Sequence, residues 1–497
     1  MRINPSITEP ERISDPILEI GKTHFGIQYL FPYQRLALYN ILASCGYFGG
    51  EEEDQSVGDQ IILLPTGAGK SLCFQIPAML IPGLTVVVYP LLALMADQFR
   101  RLQEAKVPTA VLKGGQTREE RTDLFQKLKS GRIKILLTNP ESLSIPGTVQ
   151  RLTDSQITHF VVDEAHCIVQ WGETFRPSYL LLGEIREKLQ PVVTTAFTAT
   201  ASPSVLQKIQ EHLFSDSQPH IVAADPDRPN IQYSVLETLS KMQSLITLLE
   251  KQVVERPVIV FTRSRKGAEL LSLSLRRRLG EREIFFYHAG LSREEKKEIE
   301  EWFFQSKGGI LTSTNAYGMG VDKANIHTVI HYEAPPSVEA YLQESGRAGR
   351  DKLPAQAILL VSELDKHALD PFFRKYIDTE GCRRAFLYSA LGAELESCSG
   401  CDRCNGIQNK KPEGYKELEQ FFRHNSRRYT QEEAVRLLSG IRTYFTRSHL
   451  LEKNRWFGLL HTWDPEDLKE ALDNLREKGL LKEGKWLWKR MLSWRSR

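Results

Sequence analysis

The segment Pro65-Thr66-Gly67-Ala68-Gly69-Lys70-Ser71 follows a short apolar run, Ile61–Leu64, and opens a stretch patterned as a helix. Small residues at Gly67, Ala68 and Gly69, with Thr66, let backbone N–H groups approach an anion. Lys70 is long enough to reach the β- and γ-phosphates of a nucleotide, and the Ser71 hydroxyl can ligate Mg²⁺. Leu64 stands where the full phosphate-loop pattern has Gly, so a Gly-rich turn without chemistry is the competing reading. A second apolar run, His159–Val162, leads into Asp163-Glu164-Ala165-His166. Two carboxylates at the carboxyl end of a strand can divide two tasks, Asp163 holding Mg²⁺ through water and Glu164 positioning and deprotonating an attacking water. Alone, the tetrapeptide equally suits a helix start; in one α/β lobe with Lys70, the two signals reinforce each other. Gln343-Glu344-Ser345-Gly346-Arg347-Ala348-Gly349-Arg350-Asp351 sets two guanidiniums three residues apart, on one face if the segment is helical. Arg347 and Arg350 are then candidates to neutralise charge developing on a γ-phosphate, against the alternative of a surface salt-bridge helix. Finally, Cys382-x15-Cys398-x2-Cys401-x2-Cys404 supplies four thiolates suited to tetrahedral Zn²⁺ with no open position, hence a structural site.

Elements that position such groups are visible as short apolar runs alternating with amphipathic stretches. Ile61–Leu64, Thr85–Tyr89, Ile133–Thr138, His159–Val162 and Val192–Thr198 form a first set. Val258–Thr262, Glu283–Tyr287, Gly309–Thr312, Thr328–His331 and Ala357–Val361 form a second. This pattern predicts an α/β chain with two parallel-sheet lobes joined near Ala223–Pro229, followed by a helical cysteine-bearing segment over 363–406. Past Gly406–Gly414, Thr430-Gln431-Glu432-Glu433 is a capping box opening one helix, Asp464–Lys478 reads as another, and Leu480–Trp488 as a hairpin turning at Glu483-Gly484. Helix, helix, hairpin is the order of a winged helix.

Composition bounds the class. The chain has 497 residues, 41% hydrophobic and 26% charged, which suits several globular domains and excludes disordered and fibrous classes. Ser71–Ala96 has no charged residue, but Pro77, Pro82, Gly83 and Pro90 interrupt it, and Leu84-Thr85-Val86-Val87-Val88 is a buried-strand pattern, so a membrane span is not expected. The start lacks an apolar signal region, which points to a cytoplasmic protein. Residues 407–497 carry 20 Lys and Arg against 13 Asp and Glu, so basic charge concentrates at that end although the whole chain is only +3. The three scattered cysteines, Cys45, Cys73 and Cys167, lie in apolar contexts and read as core residues in a reducing compartment.

Motif by motif the chain resembles superfamily 2 helicases, specifically the RecQ family. The resemblance rests on Pro65–Ser71, Tyr89-Pro90-Leu91-Leu92-Ala93-Leu94-Met95-Ala96-Asp97-Gln98, Asn139-Pro140-Glu141, Asp163–His166, Phe197-Thr198-Ala199-Thr200-Ala201, Tyr287-His288-Ala289-Gly290-Leu291, Ala316–Lys323 and Gln343–Asp351, in family order from about Phe25 to Cys404. It implies an ATP-dependent 3′→5′ DNA helicase of recombination and repair, nucleoid-associated in a bacterium, that moves on single-stranded DNA and opens duplex DNA. The implied cofactors are ATP, Mg²⁺ and one structural Zn²⁺. The implied organisation is an N-terminal extension (1–23), two RecA-like lobes (24–222 and 223–362), a Cys₄ zinc module (363–406) and a winged-helix-like DNA-binding domain (407–497). The chain is too short beyond Cys404 for the family's HRDC domain, so a short form is expected. The resemblance also implies that Gln34 reads the adenine edge, and that Thr198 and Thr200 couple ATP to DNA. It makes Gln170–Pro177 an aromatic-rich DNA sensor in which Trp171 and Phe175 stack on bases and Arg176 adds a phosphate contact. Three departures stand out: Ile27 and Phe31 replace the usual residues around the adenine, and Glu173 stands where the family has His. An RNA-dependent ATPase of the same superfamily is disfavoured by the Cys₄ pattern and the Trp171–Arg176 loop, and a non-catalytic DNA-binding scaffold by Lys70, Glu164, Arg347 and Arg350 occurring together.

Overall fold

The computed structural model describes residues 15–48, 58–65, 68–171, 176–224, 227–317, 323–407, 411–484 and 490–495, without the side chains of Gln170, Trp171 and Phe445. The chain forms two compact units, Met1–Pro226 and Asp227–Arg497.

In the first unit, β1 (Gln60–Leu63), β2 (Leu84–Val88), β3 (Thr109–Val111), β4 (Ile135–Thr138), β5 (Ile157–Val162), β6 (Val193–Thr198) and β7 (His220–Ala223) make a sheet ordered β3-β4-β2-β5-β6-β1-β7. Every pairing in it is parallel. Successive residues of a strand point to opposite faces, so neighbours divide between two cores. Ile61, Val86 and Phe160 enter one core, whereas Ile62, Val87 and Val161 enter the other. Both faces are therefore covered, and the apolar strands read as continuous runs because neither side meets water. Each such side chain contributes roughly 1.5–3 kcal/mol by burial. The uncharged stretch Ser71–Ala96 resolves into the helix Leu72–Leu80, β2 and the start of the helix Leu92–Glu104. Among the described residues no helix is long and apolar enough to cross a membrane.

The second unit repeats the plan. β8 (Ile231–Glu237), β9 (Val258–Phe261), β10 (Ile284–Tyr287), β11 (Ile310–Ser313), β12 (Thr328–His331) and β13 (Ala355–Val361) form a parallel sheet ordered β10-β11-β9-β12-β13-β8. Ile259 and Phe261 face one core, Val258 and Val260 the other. These are the two RecA-like lobes expected. Beyond them come the helices Pro371–Asp378 and Arg383–Ser389, then turns through the last three cysteines of the cluster.

The C-terminal helices Tyr415–His424, Gln431–Ser439 and Pro465–Glu477 share a core with Leu239 of the second lobe. Helix Pro465–Glu477 is fastened to that lobe by several polar contacts. Ser240 donates to Asp467 (3.0 Å), Arg278 pairs with Asp467, and Asn474 donates to the Leu239 carbonyl (2.8 Å).

The structure departs from the sequence expectations in several places. β3, β7 and β8 lack the strong apolar pattern: β3 has three residues, β7 exposes three of four, and β8 is an edge strand of mixed burial. β7 completes the first sheet up to Ala223, one residue past the expected lobe boundary. Over 363–406 the helices end at Ser389, so most of the cysteine loop is not helical. The hairpin pairs β14 (Leu481–Glu483) with β15 (Leu492–Trp494) and does not turn at Glu483-Gly484. Gly484 N–H instead bonds the Met491 carbonyl (2.7 Å), which continues the ladder.

Candidate nucleotide site and cysteine cluster

The exits of β1, β2, β5 and β6 converge on one end of the first sheet. β1 leaves through Leu64, whose N–H bonds the Thr198 carbonyl (3.0 Å), and the chain turns at Gly69–Leu72 into the helix Leu72–Leu80. Thr66 and Gly67 lie outside the described residues. Gly69 has φ +76°, and a Cβ there would sit 2.5 Å from the Gln34 amide nitrogen, so neither the turn nor the space admits a larger residue. Gln34 is buried and bonded at both ends of its amide: its Nε2 donates to the Ala68 carbonyl (2.9 Å) and its Oε1 accepts from Phe31 N–H (2.9 Å). The side chain expected to read an adenine edge thus also contacts the loop that carries Lys70. Beside that loop lies a cleft of about 480 Å³ lined by Phe25, Ile27, Gly69, Ser71 and Gln98 among others. Ile27 faces this cleft, while the Phe31 ring stacks on Tyr33 at 5.4 Å.

Lys70 extends to Glu164, with Nζ 2.9 Å from Oε1, both largely buried. Burial alone would lower the Lys70 pKa, but Glu164 and Asp163 together raise it, so the ammonium is held charged. The Asp163 pKa is pushed up, first by burial and then by the adjacent Glu164 charge, with Lys70 opposing. One ammonium against two carboxylates leaves a net negative pocket in which a cation is electrostatically complementary. Ser71 and Asp163 are hard oxygen donors of the kind Mg²⁺ takes.

Glu164 adopts φ +50°, a conformation costing about 1–3 kcal/mol for a non-glycine residue. Its neighbours hold it there. Asp163 N–H bonds the Val88 carbonyl (3.0 Å) and Ala165 N–H the Phe197 carbonyl (2.8 Å). Next in sequence, His166 reaches Thr198 (Nδ1 to Oγ1, 3.0 Å) and the Thr198 hydroxyl donates to the Thr200 carbonyl (3.2 Å).

Trp171 closes the short helix Cys167–Trp171, but its side chain and all of 172–175, Glu173 and Phe175 included, lie outside the described residues. Arg176 is engaged within the first lobe. Its Nε donates to Glu141 Oε1 (2.7 Å) and its Nη1 to the Pro90 carbonyl, while Ser178 and Asn139 also bind the Glu141 carboxylate (3.1 and 2.6 Å). Arg176 therefore clasps two motifs within its own lobe; a phosphate would have to compete with a carboxylate already in contact.

In the second lobe, Ser337 caps the helix Val338–Ser345 and His331 bonds Glu344 (3.0 Å) from β12. The helix stops at Ser345, so Arg347 and Arg350 are not on one helical face: they follow in consecutive turns. Gly349 has φ +59° and approaches Asn230 so closely that a Cβ would come within 2.3 Å of its amide. Past the C-cap Gly346 the chain runs in three-residue turns, Arg347 N–H to the Glu344 carbonyl and Ala348 N–H to the Ser345 carbonyl, before it reaches that glycine. Arg347 is buried and Arg350 partly so.

The four cysteine sulfurs of Cys382, Cys398, Cys401 and Cys404 lie within 4.8 Å of one another. A tetrahedral zinc with bonds of about 2.3 Å puts sulfurs roughly 3.8 Å apart, so the set fits. Burial pushes the Cys401 thiol up, yet N–H groups of Cys404 and Arg383 with the neighbouring thiols bring it below the usual range, while its neighbours Cys398 and Cys404 are pushed up. Cys382 Sγ accepts from Ala385 N–H (3.4 Å) at the start of its helix.

Single residues invisible to motif reading hold this cluster to β8. Buried Arg383 donates to Asp402 (2.6 and 2.8 Å), Asp402 accepts from Val235 N–H (3.0 Å), and Asp402 N–H bonds the Tyr233 carbonyl (3.0 Å). Arg384, fully buried, pairs with Asp227 and donates to the Arg228 carbonyl (3.0 Å).

Residues 32–209 match the DEAD/DEAH box helicase family model and residues 240–352 the helicase conserved C-terminal domain model. The ATP-dependent DNA helicase RecQ of Pasteurella multocida is 33% identical over 400 residues, covering 75% of this chain and 63% of that protein. The probable ATP-dependent DNA helicase RecS of Bacillus subtilis is 38% identical over 307 residues, covering 61% and 60%. The chain thus spans about six-tenths of the length of these bacterial relatives. Among solved structures, the DEAD-box helicase Mss116 bound to ssRNA aligns with a TM-score of 0.59 at 19% identity, over 86% of this chain and 89% of that one, which is a likeness of fold. With the order and spacing of the motifs, these matches show that the chain belongs to the RecQ helicase family.

Proposed function

We propose that the protein is an ATP-dependent DNA helicase, translocating 3′→5′ on single-stranded DNA and separating duplex strands in recombination and repair. The observation that carries the reading is the Lys70–Glu164 contact of 2.9 Å, with Asp163 beside it, at the carboxyl end of a parallel sheet in a RecQ-family chain. In this reading Lys70 holds the β- and γ-phosphates, with Thr66, Gly67, Ala68, Gly69 and Ser71 forming the cradle and Gln34 bracing it. Ser71 and Asp163 would hold Mg²⁺, whose chemistry is to bridge and neutralise phosphate oxygens. Glu164 orients the attacking water and takes its proton once Lys70 turns to the nucleotide. Arg347 and Arg350 neutralise charge developing on the γ-phosphate. Trp171 and Phe175 stack on DNA, and Thr198 and Thr200 pass the state of the DNA to Glu164 through His166. Arg176 supports the same loop from its Glu141 contact.

The four cysteines would hold one structural Zn²⁺ that fixes residues 382–404 on β8, and the basic residues 407–497 form a winged-helix-like unit gripping duplex DNA. The test is a coupled one: ATP turnover with single-stranded DNA or RNA, alongside strand displacement on substrates with a 3′ or a 5′ tail. Turnover stimulated by DNA, with displacement from the 3′ tail, is the expected result. Stimulation by RNA alone would make the protein an RNA-dependent ATPase, and binding without turnover a scaffold.

A further inference from the structure

The turn that carries Arg347 and Arg350 lies beyond the end of its helix, and much of its restraint comes from one side chain far away in sequence. Arg228 donates through Nη1 to the Gly346 carbonyl (3.2 Å) and through Nη2 to the carbonyls of Ala348 (3.1 Å) and Gly349 (2.9 Å). These three carbonyls flank Arg347 and end at the residue before Arg350. Asn230 adds a bond to the Gly349 carbonyl (2.8 Å).

Arg228 is itself held. Its N–H bonds the Tyr388 hydroxyl (3.3 Å), and its carbonyl accepts from the buried Arg384 (3.0 Å). Both partners belong to the helix Arg383–Ser389, which Cys382 caps. Arg384 also donates to the carbonyl of Gly400, between Cys398 and Cys401 (3.5 Å).

We propose that Arg228 is a positioning residue that fixes the Gly346–Gly349 turn, and through it the aim of Arg347 and Arg350, with the cysteine-capped helix as its anchor. This rests on the proposed role of those two arginines. The planar fork of a guanidinium can satisfy carbonyls lying side by side, and a lysine ammonium on the same stem cannot reproduce that spread. Arg228 is a cation placed near another: burial lowers its pKa and the charge of Arg350 adds to the effect. A like charge beside Arg350 repels that guanidinium and adds only a general positive field for an anion beyond the turn, a part that R228K would keep. Its value there is geometric, and small displacements of a transition-state group cost up to about 10²-fold in rate.

The experiment uses the full chain carrying R228A, R228K, R350A or R228A with R350A. DNA-stimulated kcat and KM for ATP are measured together with amide hydrogen exchange. The expected result for R228A is a kcat lowered roughly 10- to 100-fold, with KM for ATP within about twofold. Amides of 346–351 should exchange faster while β9 and β12 keep wild-type protection, and R228K should regain little of the lost kcat. In the R350A background, R228A should cost clearly less than it does in the wild type, since only the aim of Arg347 is then left to lose.

Unchanged exchange at 346–351 in R228A overturns the proposal, and so do losses that multiply in the double variant. Full rescue by R228K overturns it as well, because charge alone would then suffice. If R350A alone retains wild-type kcat, the assigned role of Arg350 fails instead, while the exchange measurement still decides whether Arg228 holds the turn. Should R228A not fold, R228K carries the same readouts.

Discussion

Replacing Asp402 with Ala strips one carboxylate from a junction where little else can take its place. Arg383 and Asp402 are 4% and 6% exposed, and the carboxylate serves two donors at once, Arg383 Nε and Val235 N–H at 3.0 Å. Removing it leaves a buried guanidinium without its counter-ion, a loss of about 3–5 kcal/mol, and orphans a strand N–H, about 1–3 kcal/mol more. The guanidinium keeps its bonds to the carbonyls of Tyr376 and Ile377, which offsets part of this. The expected net loss is about 4 kcal/mol, or roughly 8 °C in the melting of a unit this large. Differential scanning calorimetry of the zinc-loaded full chain measures it as a shift of the second unit's transition with the first unit's in place. Asp402→Asn keeps an acceptor for Val235 and should lose about half as much. Pairing Asp402→Leu with Arg383→Met should recover much of the deficit, because no charge is then stranded in the interior. A loss below about 1 kcal/mol for Asp402→Ala refutes the view that this pair fastens the cysteine module to β8.

Lys70→Ala should abolish ATP turnover, a fall of roughly 10³–10⁵, and Glu164→Gln should retain binding of a fluorescent ATP analogue without hydrolysing ATP; wild-type turnover in either defeats the site assignment. Atomic emission should find one zinc per wild-type chain and none in Cys401→Ser, whose module should unfold, since structural sites contribute apparent energies on the order of 10–16 kcal/mol; one zinc per variant chain with unchanged stability argues for another role. His159 is buried in β5 against Thr195 (2.9 Å), and burial depresses its pKa to about 3 from 6.5. Between those values the unfolded chain binds the extra proton, so stability present above pH 6.5 is lost as pH falls, by about 2 kcal/mol at pH 5. Urea melts at pH 7 and pH 5 should show a smaller drop for His159→Gln than for the wild type; parallel drops would mean that His159 titrates freely.

The phosphate loop, the acidic pair and the cysteine ligands are legible in sequence because each is a local pattern whose spacing encodes its geometry. The sheets are legible for a related reason: strands such as β2 and β5 are buried on both faces and so are mostly apolar, Thr85, Thr158 and His159 being their polar residues. β8 escapes because an edge strand can carry Gln232 and Ser234, and its pairing with β13 is written in no local pattern. Arg228, Arg384 and Asp402 escape more completely. Each is a lone polar residue whose partners lie far along the chain, as with Arg384 and Asp227, 157 residues apart. Arg347 and Arg350 are visible as residues but misread as a helix, since their three-residue spacing is satisfied equally by the turns that Gly349 permits. Gln34 illustrates a further limit: the sequence marks the position, and only the fold reveals that both ends of its amide bind backbone.

Glu164 shows why four strand exits have to be fixed together. A residue at φ +50° relaxes unless its flanks are pinned, and here the pins come from different strands: Val88 at the end of β2 holds Asp163, and Phe197 on β6 holds Ala165. The same β6 exit supplies Thr198, which binds His166, whose ring lies 3.5 Å from the second Glu164 oxygen. In the proposed coupling, a shift of Thr198 or Thr200 would reach the carboxylate through His166, by that 3.5 Å approach within one lobe. The aromatic loop has a separate tether, since Arg176 at its end grips Glu141 beyond β4 and the Pro90 carbonyl beyond β2. Displacing that loop pulls on the segment that follows Val88, and Val88 is one of the two pins on Glu164. In the proposed mechanism these two routes would converge on one strained residue, so that a ligand of either the loop or the Thr198–Thr200 segment would change the aim of Glu164 without touching the nucleotide.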